Sequence, residues 1–577
     1  MTNKRSFYFF FFSGLILSFP FFLLGINNPD IFWHLSSGKY IFENLSVPKT
    51  DFISWTMSGK YWADFEWLTQ IIYYALYKNF SMESLYFLKI FLISASLFIF
   101  SLILKEKEVP DFHLFWILPL VSACNLTSSD VRPENFSVLF FLIFWLTIIK
   151  KERQEKILPK DLIFYFLFFS FWTNIHGGFI YGLILLFIKF CGDMLDENLP
   201  FAAGKASFSF VKSKKNMLFL VAAAAGTLIN PYGYKIYSVM TQHFAHSSSY
   251  SDFLLEWRDL DITIPYFRPF VFLLLAFPIV YLIDFLKKRK VVFFEIFLAV
   301  FFSFAALFHL RNLVFASYVL IILSSSFLKE IKKTVYFAFL SAVFIFALSA
   351  HFFSAAAKDY ADFKIENFYF SSPKLISFLK ENEKELSGLK MYNSWAWGGY
   401  LGKELYPSYK IFIDGRYIFS PMLSEFVAAK NSLNMWKETL KKYGFSLIVS
   451  PPAVQRFTVV KKLKDGSRYA VNMPLYLLQL PKEDWALVYF DKKNIVAVKR
   501  KEVSANWLKK NEFEIIAPFA MDNLDYPVYM NDISLKKIEK EILKYSLSNT
   551  PGEKDSMALE MLDWLNKTKE SLKGKKK

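Results

Sequence analysis

Long apolar runs separated by short polar stretches fill the chain up to Phe353. The first is Phe7 to Ile26, and others lie near 84 to 104, 112 to 124, 135 to 149, 162 to 174, 178 to 191, 216 to 229, 266 to 286, 291 to 308, 312 to 328 and 334 to 353. A helix perpendicular to the bilayer needs about 20 apolar residues, so the pattern predicts a polytopic α-helical membrane protein of about eleven transmembrane helices. Several runs are shorter than that, and their boundaries reach into the polar flanks or belong to broken helices. The run Phe7 to Ile26 follows Lys4 and Arg5 as a signal peptide would. Its length and its lack of a small-residue cleavage site predict an uncleaved first helix.

Beyond about residue 360 the pattern changes. Short β-like runs, Lys410 to Asp414, Phe445 to Ser450, Ala486 to Phe490 and Asn494 to Lys499, alternate with helical stretches. That alternation predicts a soluble mixed α/β domain. The expected division is a transmembrane domain at 1–355 with a first extracytoplasmic loop at 27–83, an extracytoplasmic α/β domain at 356–500, and a helical extension with a lysine-rich tail at 501–577. The stretch from Asp555 to Lys577 reads as a charged, solvated end. No repeat of solenoid period is found.

Charge then sets the orientation. With the N-terminus in the cytoplasm, alternate loops carry Lys105 and Lys107, then Lys150, Lys151 and Arg153, then Lys212, Lys214 and Lys215, then Lys287 to Lys290, then Lys329, Lys332 and Lys333. All five are basic, as the positive-inside rule demands, so the remaining loops and everything after Phe353 fall outside. The net charge of +17 sits in these short loops and the tail, a placement that reports topology and excludes a nucleic-acid partner. A 54% hydrophobic, 20% aromatic composition makes the lipid bilayer the solvent. Cys124 and Cys191 are the sole cysteines, too few and too isolated for a disulfide framework or a zinc site.

The polar chemistry collects on the outer side. The first outer loop reads Asn28-Pro29-Asp30-Ile31-Phe32-Trp33-His34-Leu35 and then Tyr61-Trp62-Ala63-Asp64-Phe65-Glu66-Trp67-Leu68, with Trp55 between them. Aromatic faces stack on sugar rings, and carboxylates accept a hydroxyl proton. The same residues also suit an interfacial aromatic belt, a turn after Pro29 and helix caps. Later outer loops add Asp130-Val131-Arg132-Pro133-Glu134, Asn174-Ile175-His176-Gly177-Gly178, Asn230-Pro231-Tyr232-Gly233, Glu256-Trp257-Arg258-Asp259 and His309-Leu310-Arg311-Asn312, each at a helix end. An Arg or Asp at the centre of a membrane helix costs roughly 2.5 to 3.5 kcal/mol, so such groups require partners or a water-filled cavity. Any one of them alone suits snorkelling or a local salt bridge. Their common sidedness predicts a site.

These residues resemble the bacterial membrane glycosyltransferases of the GT-C fold, which use polyprenyl-phosphate-linked sugars. One anchor is Pro29-Asp30-x-x-Trp33-His34-Leu35-x-x-Gly38 with Pro48-x-Thr50-Asp51 and Asp64-x-Glu66-Trp67-Leu68. The other is Trp397-Gly398-Gly399-Tyr400-Leu401 with Phe412-Ile413-Asp414-Gly415-Arg416. The similarity spans most of residues 27 to about 500. It implies Asp30 as general base on the acceptor hydroxyl, with Glu66, or Asp64 beside it, as the second acidic position. It implies a substrate-binding set of Trp33, His34, Arg132, Glu134, Asn174, His176, Glu256, Arg258, His309, Arg311, Asp414 and Arg416. A divalent cation, Mg or Mn, on Asp30 and Glu66 is an optional cofactor. For Asp414 to Arg416, an Asp-Gly turn at a strand end is an equal structural account.

The expected function is transfer of a hexosyl or pentosyl group from a polyprenyl-phosphate donor to an extracytoplasmic glycan, lipid or protein, by a multi-pass protein of the bacterial cytoplasmic membrane. A transporter or flippase for lipid-linked sugars would place ionisable residues at mid-membrane with repeated halves, neither of which is found. A ligase or polymerase of lipid-linked saccharides shares the pattern, although its large loop usually lies between spans. A non-enzymatic assembly protein would have no use for clustered carboxylates.

Overall fold

The computed structural model describes residues 4–152, 157–198, 211–245, 251, 254–288, 291–331, 372–548 and 556–574. The chain divides into two compact units, one of residues 1–49 and 62–369, the other of 50–61 and 370–577. The segment 50–61, within the expected first extracytoplasmic loop, therefore belongs with the C-terminal part of the chain.

In the N-terminal unit the helices are α1 (Lys4–Ser18), α2 (Asp30–Asn44), α3 (Trp67–Phe80), α4 (Glu83–Glu106), α5 (Leu114–Cys124), α6 (Glu134–Glu152), α7 (Pro159–Ile175), α8 (Phe179–Asn198), α9 (Val211–Gly226), α10 (Ile236–Ala245), α11 (Arg268–Lys288), α12 (Phe293–Phe308) and α13 (Leu313–Leu323). Ten of the apolar runs fall on helices, and the run 334–353 lies outside the described residues. Two helices among the described residues, Glu83–Glu106 and Pro265–Lys287, are by themselves long and apolar enough to cross a membrane. The others are too short or too charged for that test. A 15-residue helix such as α1 rises about 22 Å, short of the roughly 30 Å hydrocarbon core.

All residues of α13 are buried, and Phe315 meets Phe141, Phe302 and Tyr181 around it, so this helix lies at the centre of the bundle. Outer helices instead carry exposed apolar stripes at helical spacing. Phe272, Leu275, Ile279, Leu282 and Leu286 form one on α11, and Ile163, Leu167 and Phe171 another on α7. Such stripes suit contact with lipid. Gly38 on α2 permits the close crossing with α3, since a Cβ there would come within 2.2 Å of the Gln70 carbonyl oxygen. At the end of the bundle that carries the basic loops, Lys189 bonds Asp193 at 2.8 Å and Glu152 at 2.6 Å, while Asn216 donates to Asp193 at 2.6 Å. This network ties α6, α8 and α9 together.

The C-terminal unit holds β1 (Met391–Asn393), β2 (Leu447–Ser450), β3 (Arg456–Lys462), β4 (Arg468–Pro474), β5 (Trp485–Phe490) and β6 (Ile495–Lys499). One sheet has the order β1-β2-β6-β5, with β1 parallel to β2 and the other pairings antiparallel. β3 and β4 form a separate antiparallel hairpin. Three of the β-like runs are thus strands, but Lys410 to Asp414 is not. Its backbone is held by a side chain: Asn393 Oδ1 accepts the Phe412 N–H and Nδ2 donates to the Ile413 carbonyl, both at 2.7 Å. The chain end is also not simply solvated. In the helices Leu535–Ser548 and Ser556–Gly574, Ile538, Ile542, Tyr545, Met557, Met561 and Leu565 are buried at helical spacing, so the extension folds as part of this unit.

Candidate active site

Asp30 opens α2, where its backbone N–H donates to Asn28 Oδ1 at 3.1 Å and the helix dipole favours its charge. It is half-buried. His34 lies one turn further along the same face, tilted against Trp33 with the ring centroids 3.7 Å apart. Burial, and then the Arg132 charge, push the His34 imidazole down to about 3, so the ring is neutral.

Glu66 sits at the N-cap of α3 and is buried between two histidines. Oε1 lies 3.5 Å from His176 Nε2, and Oε2 lies 3.9 Å from His34 Nδ1. Burial, followed by the charges of Asp64 and Asp30, raises its carboxyl well above the ordinary range, with Arg311 pulling the other way. Asp64 Oδ1 accepts from Gln70 Nε2 at 2.5 Å, and that amide also faces His34 Nδ1 at 3.5 Å. Three acidic groups thus converge from the two helix starts that flank the loop.

A second charged group completes the site. Arg132 is ion-paired with Glu256. Burial opposes ionisation of Glu256, but Arg132 and Arg311 beside it hold its carboxyl below the usual range. Glu134 is raised, chiefly by burial. The Arg311 guanidinium lies 4.9 Å over the Trp257 ring and interacts electrostatically with Glu134 and Glu256. Among the described residues no carboxylate oxygen lies within ion-pair distance of it, in contrast to Arg132. A cation stacked on an aromatic face and short of a direct partner is suited to an anionic ligand.

The remaining expected residues have other partners. Asn174 is engaged on both sides, accepting from Trp67 Nε1 at 2.7 Å and donating to the Ser170 and Ile229 carbonyls at 2.7 Å. His309 Nδ1 lies 2.9 Å from the Trp257 carbonyl. Arg258 is exposed and donates to the Ser251 carbonyl at 3.3 Å. In the C-terminal unit Asp414 and Arg416 close on each other and on Asp51. Arg416 Nε meets Asp414 Oδ2 at 2.9 Å and Nη1 meets Asp51 Oδ1 at 2.6 Å, with every one of these side chains fully buried. That arrangement is a buried structural network. Gln70, Ser137 and Trp172 make contacts here that no motif pointed to, and Asp51, which sits in a quoted motif, pairs with Arg416.

The donor set does not form a cation cage. Among the described residues no three His, Cys, Asp or Glu side chains are gathered to hold a metal ion. Glu66 faces His176 Nε2, the nitrogen that bears the ring hydrogen because a backbone N–H already occupies Nδ1.

No protein-family model and no curated protein sequence matches the chain. Among solved structures, the archaeal oligosaccharyltransferase AglB from Archaeoglobus fulgidus, in complex with an inhibitory peptide and a dolichol-phosphate, aligns at TM-score 0.50 and 12% identity over 94% of this chain and 83% of that one. The chain has the GT-C fold. A looser likeness, at TM-score 0.42 and 11% identity, covers 86% of this chain and 98% of ArnT from Cupriavidus metallidurans bound to undecaprenyl phosphate. At these identities the GT-C likeness describes architecture, and the chemistry must be argued from the side chains.

Proposed function

We propose that this chain is a membrane glycosyltransferase that moves a sugar from a polyprenyl-phosphate-linked donor to an acceptor on the extracytoplasmic face. The observation that carries the reading is the pairing of opposite chemistries in one rim cluster. Asp30, Asp64 and Glu66 gather on one side, and Arg311 stands available to an anion on the other. The fold shared with an oligosaccharyltransferase determined with a dolichol-phosphate supports it.

In this mechanism Asp30 takes the proton of the acceptor hydroxyl as its oxygen attacks the anomeric carbon. The bond from that carbon to the phosphate oxygen breaks, and its electron pair stays on the phosphate. Arg311 stabilises the charge that grows there, in a setting where a fixed cation is worth more than in water. Glu66, its carboxyl raised by burial and held between two imidazoles, orients the acceptor.

The test is turnover of a polyprenyl-phosphate sugar by the purified protein. Asp30→Asn keeps size but cannot accept a proton, so turnover is expected to fall about 10² to 10⁴-fold with folding unchanged. Retention of more than about a tenth of wild-type turnover would make Asp30 structural, well outside that range. Donors carrying one sugar or a preassembled oligosaccharide separate a transferase from a ligase. Transport of intact donor across vesicles without transfer would indicate a flippase. A chelator addresses the optional cation: loss of turnover restored by Mg²⁺ or Mn²⁺ would put a metal on Asp30 and Glu66.

A further inference from the structure

His176 ends α7 and leads through Gly177 and Gly178 into α8. Its Nδ1 is met by the Gly178 backbone N–H at 3.0 Å and by Ser137 Oγ of α6 at 2.8 Å. A backbone N–H can only donate, so Nδ1 is the bare nitrogen and the ring hydrogen lies on Nε2. That nitrogen faces Glu66 Oε1. Ser137 Oγ in turn accepts from Trp172 Nε1 at 2.8 Å. An indole also only donates, which leaves the serine hydrogen for Nδ1.

The direction of the hydrogen bonds is therefore set at the buried end, Trp172 to Ser137 and Ser137 to His176, which leaves the His176 Nε2–H facing Glu66 Oε1 across 3.5 Å. Ser137 and Trp172 are fully buried, so no water competes for these bonds. The glycine is part of the device. A Cβ at Gly178 would lie 2.5 Å from Ser137 Oγ and 3.0 Å from His176 Nδ1, so a larger residue would displace the N–H that reads the ring.

We infer that Ser137 is a positioning residue: with Trp172 and the Gly178 N–H it fixes His176 as the Nε2–H tautomer and keeps a donor directed at Glu66. For its effect on catalysis this rests on the glycosyl-transfer reading. For the tautomer it does not. Without the serine hydroxyl, Nδ1 loses the shorter of these two contacts, 2.8 Å against 3.0 Å from Gly178, and the imidazole gains freedom to rotate or change tautomer. Glu66 would then lose the contact that orients Oε1.

The experiment uses the full chain in lipid nanodiscs with ¹⁵N-labelled histidine. His176→Gln identifies the His176 signals. The wild type should show a pyridine-type Nδ1 and a pyrrole-type Nε2, whereas Ser137→Ala should show averaged nitrogens. Trp172→Phe, which removes only the upstream donor, should shift the signals the same way to a smaller extent and serves if Ser137→Ala fails to fold. In turnover, Ser137→Ala should lower kcat about 5- to 10-fold at unchanged KM, the scale of one hydrogen bond. An unaltered Nε2–H tautomer in both variants overturns the inference, and so does a disturbed tautomer with wild-type kcat. If the wild type transfers no sugar, the proposed reaction fails, and the spectra alone decide the relay.

Discussion

Glu66 links the geometry of the site to a measurable dependence on pH. Its carboxyl is raised in the folded state, first by burial and then by Asp64 and Asp30. Between the ordinary carboxylate range and the folded value, the native protein holds a proton that the unfolded chain has released, so stability falls as pH rises through that window. Glu66→Gln removes this dependence at nearly constant shape. The variant's thermal midpoint is expected to exceed that of the wild type at pH 8, with the gap closing toward pH 4.5. A constant difference across that range would mean that Glu66 does not take up a proton on folding. Arg311→Ala is expected to lower kcat/KM for the donor by about 10²-fold, as loss of a charge-stabilising group does. An unchanged value would remove Arg311 from the phosphate site. Asp30, Glu66, His176 and Arg311 were legible in the sequence because ionisable residues at the outer ends of apolar runs demand an explanation. Ser137, Trp172 and Gln70 were not, because each sits inside a helix where only the rotation of that helix reveals what it faces. Arg258 shows the converse: it was read with the same cluster of loop residues, but its side chain is exposed.

Among the elements, the short helices and the false strand show where periodicity stops being informative. The apolar runs foretold helices, while the two-sided burial of β1 and β2 appears in sequence merely as brief apolar runs. Lys410 to Asp414 has the composition of a strand but takes its hydrogen bonds from the Asn393 side chain at Phe412 and Ile413 and from the 53–55 backbone at Ile411, partners that no local pattern contains. Asn393 is fully buried. Its replacement by Ala would leave the Phe412 N–H and the Ile413 carbonyl unsatisfied, at a cost of about 1 to 3 kcal/mol for each group. Denaturant unfolding of Asn393→Ala, followed by the fluorescence of the C-terminal tryptophans, should show that loss. A midpoint equal to wild type would mean that the backbone there finds other partners.

On the scale of the molecule, the GT-C expectation rested on a resemblance with two motif anchors, and the expectation of a site on the outer side rested on the sidedness of the basic loops. Reporters fused near residues 155, 208 and 288 are expected in the cytoplasm, and those near 50, 250 and 450 outside it. A cytoplasmic reporter at 450 would overturn this topology. What the sequence could not reveal is the membership of residues 50–61. Asp51 pairs with Arg416, 365 residues away, the Trp55 N–H donates to the Ile411 carbonyl at 3.0 Å, and Trp55 Nε1 donates to the Met391 carbonyl at 2.9 Å. Removing one partner of a buried ion pair typically costs about 3 to 5 kcal/mol, so a fragment of residues 370–577, in which Arg416 keeps Asp414 but loses Asp51, should be destabilised and readily cleaved by protease. Joining residues 50–61 to it through a flexible linker should restore protease resistance; a fragment equally resistant without them would show that the pairing is dispensable. The order of synthesis matters as well. Domains generally fold as they emerge, N-terminal part first, yet here the earliest piece of the C-terminal unit must wait for partners at Met391, Ile411 and Arg416, more than 330 residues later, to be made. Evolution consequently cannot shuffle this unit as a detachable cassette: a graft that moves the C-terminal half between relatives has to carry a dozen residues of the first loop with it.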